Sequence, residues 1–201
     1  MRLTRRTIFL SFALPSLAHA QGDGPTVPIA ALNAALRAGM KAGRASPFAT
    51  RAANLRPAVE RAFDLSAILQ ASVGPRFAGF AEPAQRALLE AFTVFTVATW
   101  VANFDIDGGE TFELTPQTRA SGSDEVVSTR IVPASGEATR LDYVMRKLAG
   151  GWKAVDILLN GTISRVAVQR SDFRSLVAGG DPAPLLASLR SRAAGLTGGG
   201  P

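Results

Sequence analysis

Apolar positions recur at helical spacing through the first hundred residues. Ile29–Lys41 is rich in Ala and Leu and stops at Gly43, which predicts a first helix. Positions 48, 52, 55, 59 and 62 are apolar at the same period, a second helix over Phe48–Arg61. Asp64 can cap a short helix, Leu65–Val73, which Gly74-Pro75 closes. Pro83 suits the first turn of a longer helix reaching about Asn103. Its second half, "AFTVFTVATWVANF" from Ala91 to Phe104, carries no charge at all. Phe92, Phe95, Thr99 and Ala102 share one face, and Val94, Ala98 and Val101 another. A helix apolar nearly all round is either central to a core or has one face on the core and another on an apolar ligand. Thr93, Thr96 and Thr99 can return their hydroxyls to the preceding turn.

The period then changes from helical to alternating. Thr111–Thr115 alternates, with Phe112 and Leu114 on one side. Val126–Val132 is β-branched and ends at Pro133. Leu141, Tyr143 and Met145 alternate with Asp142, Val144 and Arg146, and Trp152–Leu159 follows the Gly150-Gly151 turn. Short connections between these four strands predict an antiparallel meander. Beyond Asn160-Gly161 the spacing is helical again through Val166, Val168, Phe173, Leu176 and Val177, as far as Gly179-Gly180; Pro182–Ala194 makes a last helix. The fold class is α+β: N-terminal helices and a long apolar helix packed on a four-stranded sheet, with C-terminal helices, in a single domain over residues 29–194.

The flanks read differently. Arg2, Arg5 and Arg6 precede a short apolar stretch, Ile8–Leu17, and Ala18-His19-Ala20 is a small-x-small cleavage pattern, so residues 1–20 are expected to be a secretory signal cut after Ala20. "TRRTIFL" also hints at twin-arginine export. Residues 21–28 read as a Gly/Pro linker and 195–201 as a Gly-rich flexible tail.

Cleavage alters the available chemistry. The only His is His19, which leaves with the signal, and the chain has no Cys. Ser-His-Asp and Cys-His devices, zinc on its usual nitrogen and sulfur ligands, and thiol redox chemistry are then excluded. The signal removes three of the 22 basic residues and no acid, so 19 bases face 16 acids, a net charge of +3. The Arg are scattered, with no basic run interleaved with aromatics, which argues against nucleic acid. Asp105, Asp107 and Glu110 flank Gly108-Gly109 but lack the spacing of a calcium loop, so no metal and no cofactor is expected.

One acid lies in apolar surroundings. Asp156 alternates onto the same strand face as Trp152, Ala154 and Leu158, opposite Lys153, Val155, Ile157 and Leu159. With Tyr143 on the neighbouring strand it could serve an isomerase-like enzyme as general base. Alternatively it is held structurally, by Arg146, Arg165 or Arg170 or by backbone N–H groups near the Asn160-Gly161 turn.

"RAFDLSAILQASVG", "YVMRKLAGGWKAVDILLNGTIS" and "VAVQRSDFRSLVAGG" together resemble the MlaC / toluene-tolerance family of periplasmic lipid-binding proteins, most nearly its hopanoid-associated HpnM branch. Phe-Asp-Leu followed by Ser-Val-Gly, then Trp-Lys-x-Val-Asp, Gly-x-x-Ser and Arg-Ser-x-Phe are specific as a set, and their order holds along residues 29–194. The resemblance implies a non-catalytic shuttle in the periplasm. It would carry a phospholipid or hopanoid-type lipid between inner-membrane and outer-membrane transport complexes, touching membranes transiently through those partners. Two acyl chains hold about 30 methylenes at ~0.8 kcal/mol each, so moving them from membrane to water costs on the order of 20 kcal/mol, and an apolar cavity offsets most of it. Candidate pocket residues, read from the apolar pattern, are Phe92, Phe95, Trp100, Phe104, Leu114, Tyr143, Met145, Ile157, Leu159, Ile163 and Phe173. Asp156, Ser164 and Arg165 are expected to hold the junction between the last strand and the closing helix. Beside this stand two other readings, the isomerase-like enzyme using Asp156 and Tyr143 and a protein-binding envelope scaffold.

Overall fold

The computed structural model describes residues 24–197, so the expected signal, with its His19, lies outside the described residues. Helix α1 spans Thr26–Ala42 and passes through a 3₁₀ turn, Gly43–Ala45, to α2, Phe48–Ala62. α3 is Leu65–Val73, and a second 3₁₀ turn, Pro75–Gly79, leads to α4, Glu82–Asn103. α1 thus starts inside the segment expected to be linker. Its first turn buries Pro28 and Ile29, and a Pro near a helix start gives up only an N–H that has no partner there.

The sheet has six strands: β1 Thr111–Leu114, β2 Arg119–Ser121, β3 Asp124–Val132, β4 Thr139–Leu148, β5 Gly151–Leu159 and β6 Ile163–Ser164. β1, β3, β4, β5 and β6 are neighbours in that order, with β2 also paired to β3, and every pairing is antiparallel. The four longer strands are the expected meander. β2 and β6 escape a pattern-based reading because three exposed residues and two residues are too short to show a period. The chain closes with α5, Arg165–Arg174, and α6, Ala183–Thr197, which carries on into the segment expected to be tail.

Two features fix how helices meet sheet. Asp64 accepts a 3.0 Å hydrogen bond from the Ala67 N–H and so caps α3. Its own N–H donates to the Ala154 carbonyl at 2.9 Å, and Phe63 bridges Ala154 in parallel, so the α2–α3 junction is stitched onto β5. The second feature is a bulge in β5. Met145 pairs with Ala154 and Val144 with Asp156, which leaves Val155 as an extra residue. Strict alternation puts Ile157 and Leu159 on the face away from Trp152 and Ala154. The bulge shifts the register by one, and Ile157 and Leu159 face the helices with Tyr143 and Leu141.

Candidate functional site: an apolar cavity between helix and sheet

Helix α4 lies between two concave spaces. On the sheet side is a cavity of about 550 Å³, within the range of roughly 300–1,000 Å³ usual for small-molecule sites. Phe92, Phe95, Thr96, Thr99, Trp100 and Asn103 of α4 form one wall. Ile131, Leu141, Ile157 and Leu159 of the sheet form the facing wall. Leu65 and Ile68 of α3 and Val166 of α5 close the remaining side, with Phe63 also lining. Aromatic contacts stiffen one flank: Trp100 stacks on Phe104 at 5.6 Å between ring centroids, Phe104 meets Phe112 at 5.5 Å, and Phe63 meets Trp100 at 5.9 Å. Thr93 and Thr99 donate to the carbonyls of Leu89 and Phe95, each at 2.8 Å, so both hydroxyls are satisfied within the helix.

The opposite side of α4 faces α2 and α6 across a larger groove of about 920 Å³, walled mainly by Ala with Val94 and Val97. Arg56 of α2 crosses it and forks onto Glu90 at 2.7 and 2.8 Å. The Arg56 bond holds the Glu90 carboxyl below its ordinary pKa, burial opposing it more weakly. Both faces of α4 therefore look onto apolar space, which accounts for fourteen residues without a charge.

Of the eleven candidate pocket residues, Phe92, Phe95, Trp100, Phe104, Ile157 and Leu159 line the cavity against the sheet. Tyr143, Met145 and Phe173 are buried in the core and Leu114 packs partly buried against it; none of these four lines the cavity. Phe63, whose ring is 6.1 Å from that of Tyr143, lines the cavity where Tyr143 does not. Ile163 is 49% exposed, since it sits on the outermost strand. Met40, Leu65, Ile68 and Val166 line the cavity and were missed, because helical spacing alone does not tell a core-facing side chain from one that meets a void.

Polar groups gather where β5, β6 and α5 meet. The Asp156 carboxylate lines the cavity and accepts three hydrogen bonds: from the Ser164 hydroxyl at 2.5 Å, the Val166 N–H at 3.1 Å and the Ile157 N–H at 2.7 Å. Ser164 in turn caps α5, its Oγ accepting from the Ala167 N–H at 3.0 Å. No Arg takes part. Arg146 forks onto Asp124, and Arg170 donates to the Ala71 carbonyl. Arg165, expected to hold this junction, lines the cavity with its side chain exposed and forms no hydrogen bond or ion pair among the described residues. The first N–H groups of α5 and Ser164 already satisfy Asp156, so an Arg is not needed there.

Asp156 and Tyr143 are not set up as an acid–base pair. The Tyr143 hydroxyl bonds to Thr129, and burial raises its pKa well above the ordinary value. The three acids between α4 and β1 are engaged separately: Asp105 with Arg44 at 2.7 Å, Asp107 with the Gly109 N–H, and Glu110 with the Gly108 N–H. Among the described residues no cluster of His, Cys, Asp and Glu could hold a metal ion, and no helix is long and apolar enough to cross a membrane.

A family model described as MlaC protein matches residues 31–191. No curated protein matches the chain. Among solved structures, the phospholipid-binding protein from Ralstonia solanacearum, determined in complex with a phospholipid, superposes with a TM-score of 0.72. It is 20% identical, and the match covers 85% of this chain and 95% of that one. At that identity the likeness establishes a shared fold.

Proposed function

Because the chain belongs to the MlaC family, we propose that it is a non-catalytic lipid carrier whose ligand chains lie in the cavity between α4 and the sheet. The observation that carries this reading is the cavity itself: about 550 Å³ of space walled by Phe, Trp, Leu and Ile within the family's fold. A domain that needed only a core would fill that volume with side chains, since interiors pack to crystal density. The phospholipid in the Ralstonia solanacearum relative supports a lipid as the ligand. In cellular terms the proposal is a shuttle in the periplasm, passing phospholipid or a hopanoid-type lipid between inner-membrane and outer-membrane complexes. It is consistent with the signal pattern of residues 1–20.

The test is native mass spectrometry and lipid extraction of the purified protein, followed by reloading of delipidated protein from vesicles. One bound lipid per chain is expected, together with transfer of a labelled lipid from donor to acceptor vesicles. Delipidated, folded protein that accepts neither phospholipid nor hopanoid overturns the reading.

A further inference from the structure

A smaller cavity of about 160 Å³ lies among α1, α2 and the last turns of α4. Leu36, Leu55, Val101 and Phe104 give it apolar walls, and Ser46 and Asn54 give it polar edges. Arg51 enters that wall from α2 and is only 8% exposed. Its Nε donates to the Ser46 carbonyl at 3.2 Å, and its guanidinium carbon stands 5.6 Å from the centre of the Phe48 ring. Its Nη1 is buried and has no hydrogen-bond partner among the described residues, and no acid there pairs with Arg51.

This is a costly arrangement unless something completes it. A guanidinium cannot shed its proton, and a buried charge without a counter-charge is strongly disfavoured. Folding alone does not call for Arg here, because an apolar residue of similar length would fill the same place more cheaply. The fork of donors on a guanidinium matches a carboxylate or phosphate group, and the bond to such a group is charge-assisted. The ring of Phe48 on one side and apolar walls on the other favour a ligand that brings its own negative charge.

We propose that this cavity is an oxyanion site in which Arg51 binds a phosphate group. The phosphate has two sources. It could belong to a lipid whose chains lie against the sheet, since Phe104 lines both cavities and a headgroup in one could continue into chains in the other. This source rests on the lipid-carrier reading. The other source is free inorganic phosphate, which does not.

The experiment uses the delipidated wild-type chain with Arg51→Met and Arg51→Lys. Inorganic phosphate is titrated by calorimetry. In parallel, retention of phosphatidylglycerol is compared with that of diacylglycerol carrying the same chains, by native mass spectrometry. Saturable phosphate binding by the wild type, weakened at least tenfold in Arg51→Met, supports the site with a free anion as its ligand. Absence of phosphate binding, but retention of phosphatidylglycerol at least tenfold above diacylglycerol that is lost in Arg51→Met, supports it with a headgroup as ligand. Arg51→Met is expected to unfold at a temperature equal to or above that of the unliganded wild type. If that variant does not fold, Arg51→Lys, which keeps the charge and loses the fork, is expected to weaken the same binding about tenfold. Wild-type protein that binds no phosphate and does not distinguish the two lipids overturns the proposal and leaves the cavity to water. If the wild type takes up neither lipid, the lipid-carrier reading fails, and the phosphate titration alone decides the role of Arg51.

Discussion

Three hydrogen bonds converge on the Asp156 carboxylate, and two of their donors belong to the segment that follows the strand. Removing the carboxylate strands the Val166 N–H and the Ser164 hydroxyl together, so Asp156→Ala is expected to lower stability by about 2–3 kcal/mol, read from urea unfolding. Ser164→Ala removes only the cap and one bond and is expected to cost about 1 kcal/mol. An effect of Asp156→Ala below that of Ser164→Ala would remove the structural role given to the acid. Tyr143 supplies a second residue-scale prediction. Burial raises its phenol pKa, with the Thr129 bond opposing more weakly, so the folded value exceeds the unfolded value near ~10. Its contribution to stability is full below pH ~10 and is lost as pH rises through the folded value. The chain has a single Tyr, so phenolate absorbance reports this group alone. Ionisation is expected only well above pH ~10 or together with unfolding, and a simple titration near that value in folded protein would contradict the burial. Residue types foretold part of this: Asp156 among apolar neighbours asks for partners. Which partners they are could not be read, because the Arg at 146, 165 and 170 and the first N–H groups of α5 all lie within 14 residues of Asp156. The turn at Asn160-Gly161 was legible for a physical reason. Asn160 and Gly161 have φ of 51° and 75°, and a Cβ on Gly161 would crowd the Arg140 guanidinium at 3.3 Å.

At the scale of elements, α4 is the part of the fold most nearly written in the sequence, and the bulge in β5 the least. Fourteen uncharged residues announce a helix with apolar material on every side, and the structure supplies it as two separate spaces. That separation gives a discriminating pair of variants. Thr99→Phe places a ring in the cavity against the sheet, and Val94→Phe places one in the groove toward α6. Thr99→Phe is expected to reduce lipid retention at least tenfold while changing stability by no more than about 1–3 kcal/mol, whereas Val94→Phe leaves retention within about twofold. The opposite result would move the ligand to the other side of α4. The bulge shows why alternation failed in β5. Period-2 reading assigns Ile157 and Leu159 to the face opposite Ala154, and the extra residue at Val155 brings them to the same face. No residue type marks the bulge, because Trp152–Leu159 contains neither Gly nor Pro after its start. Without this bulge the cavity would lose two of its sheet residues.

For the whole molecule, class and layer order follow from periodicity, because the strands form one continuous stretch with helices before and after it, and their apolar faces must meet. The cavity does not follow, because a void is a property of how several elements fail to close on one another, and no single segment encodes it. Its emptiness of side chains has an energetic meaning as well: lining atoms there lack contacts that a filled core would give them, and a ligand restores those contacts. The aromatic flank has a further practical consequence. The chain has two Trp; Trp100 stands in the cavity wall stacked on Phe104, while Trp152 lies away from the cavity on β5 with the Lys147 ammonium 5.9 Å from its ring centre. One indole thus senses what fills the cavity and the other does not. A chain bearing Trp152→Phe would hold a single Trp, placed in the cavity wall, giving the protein a built-in optical gauge of the cavity's occupancy.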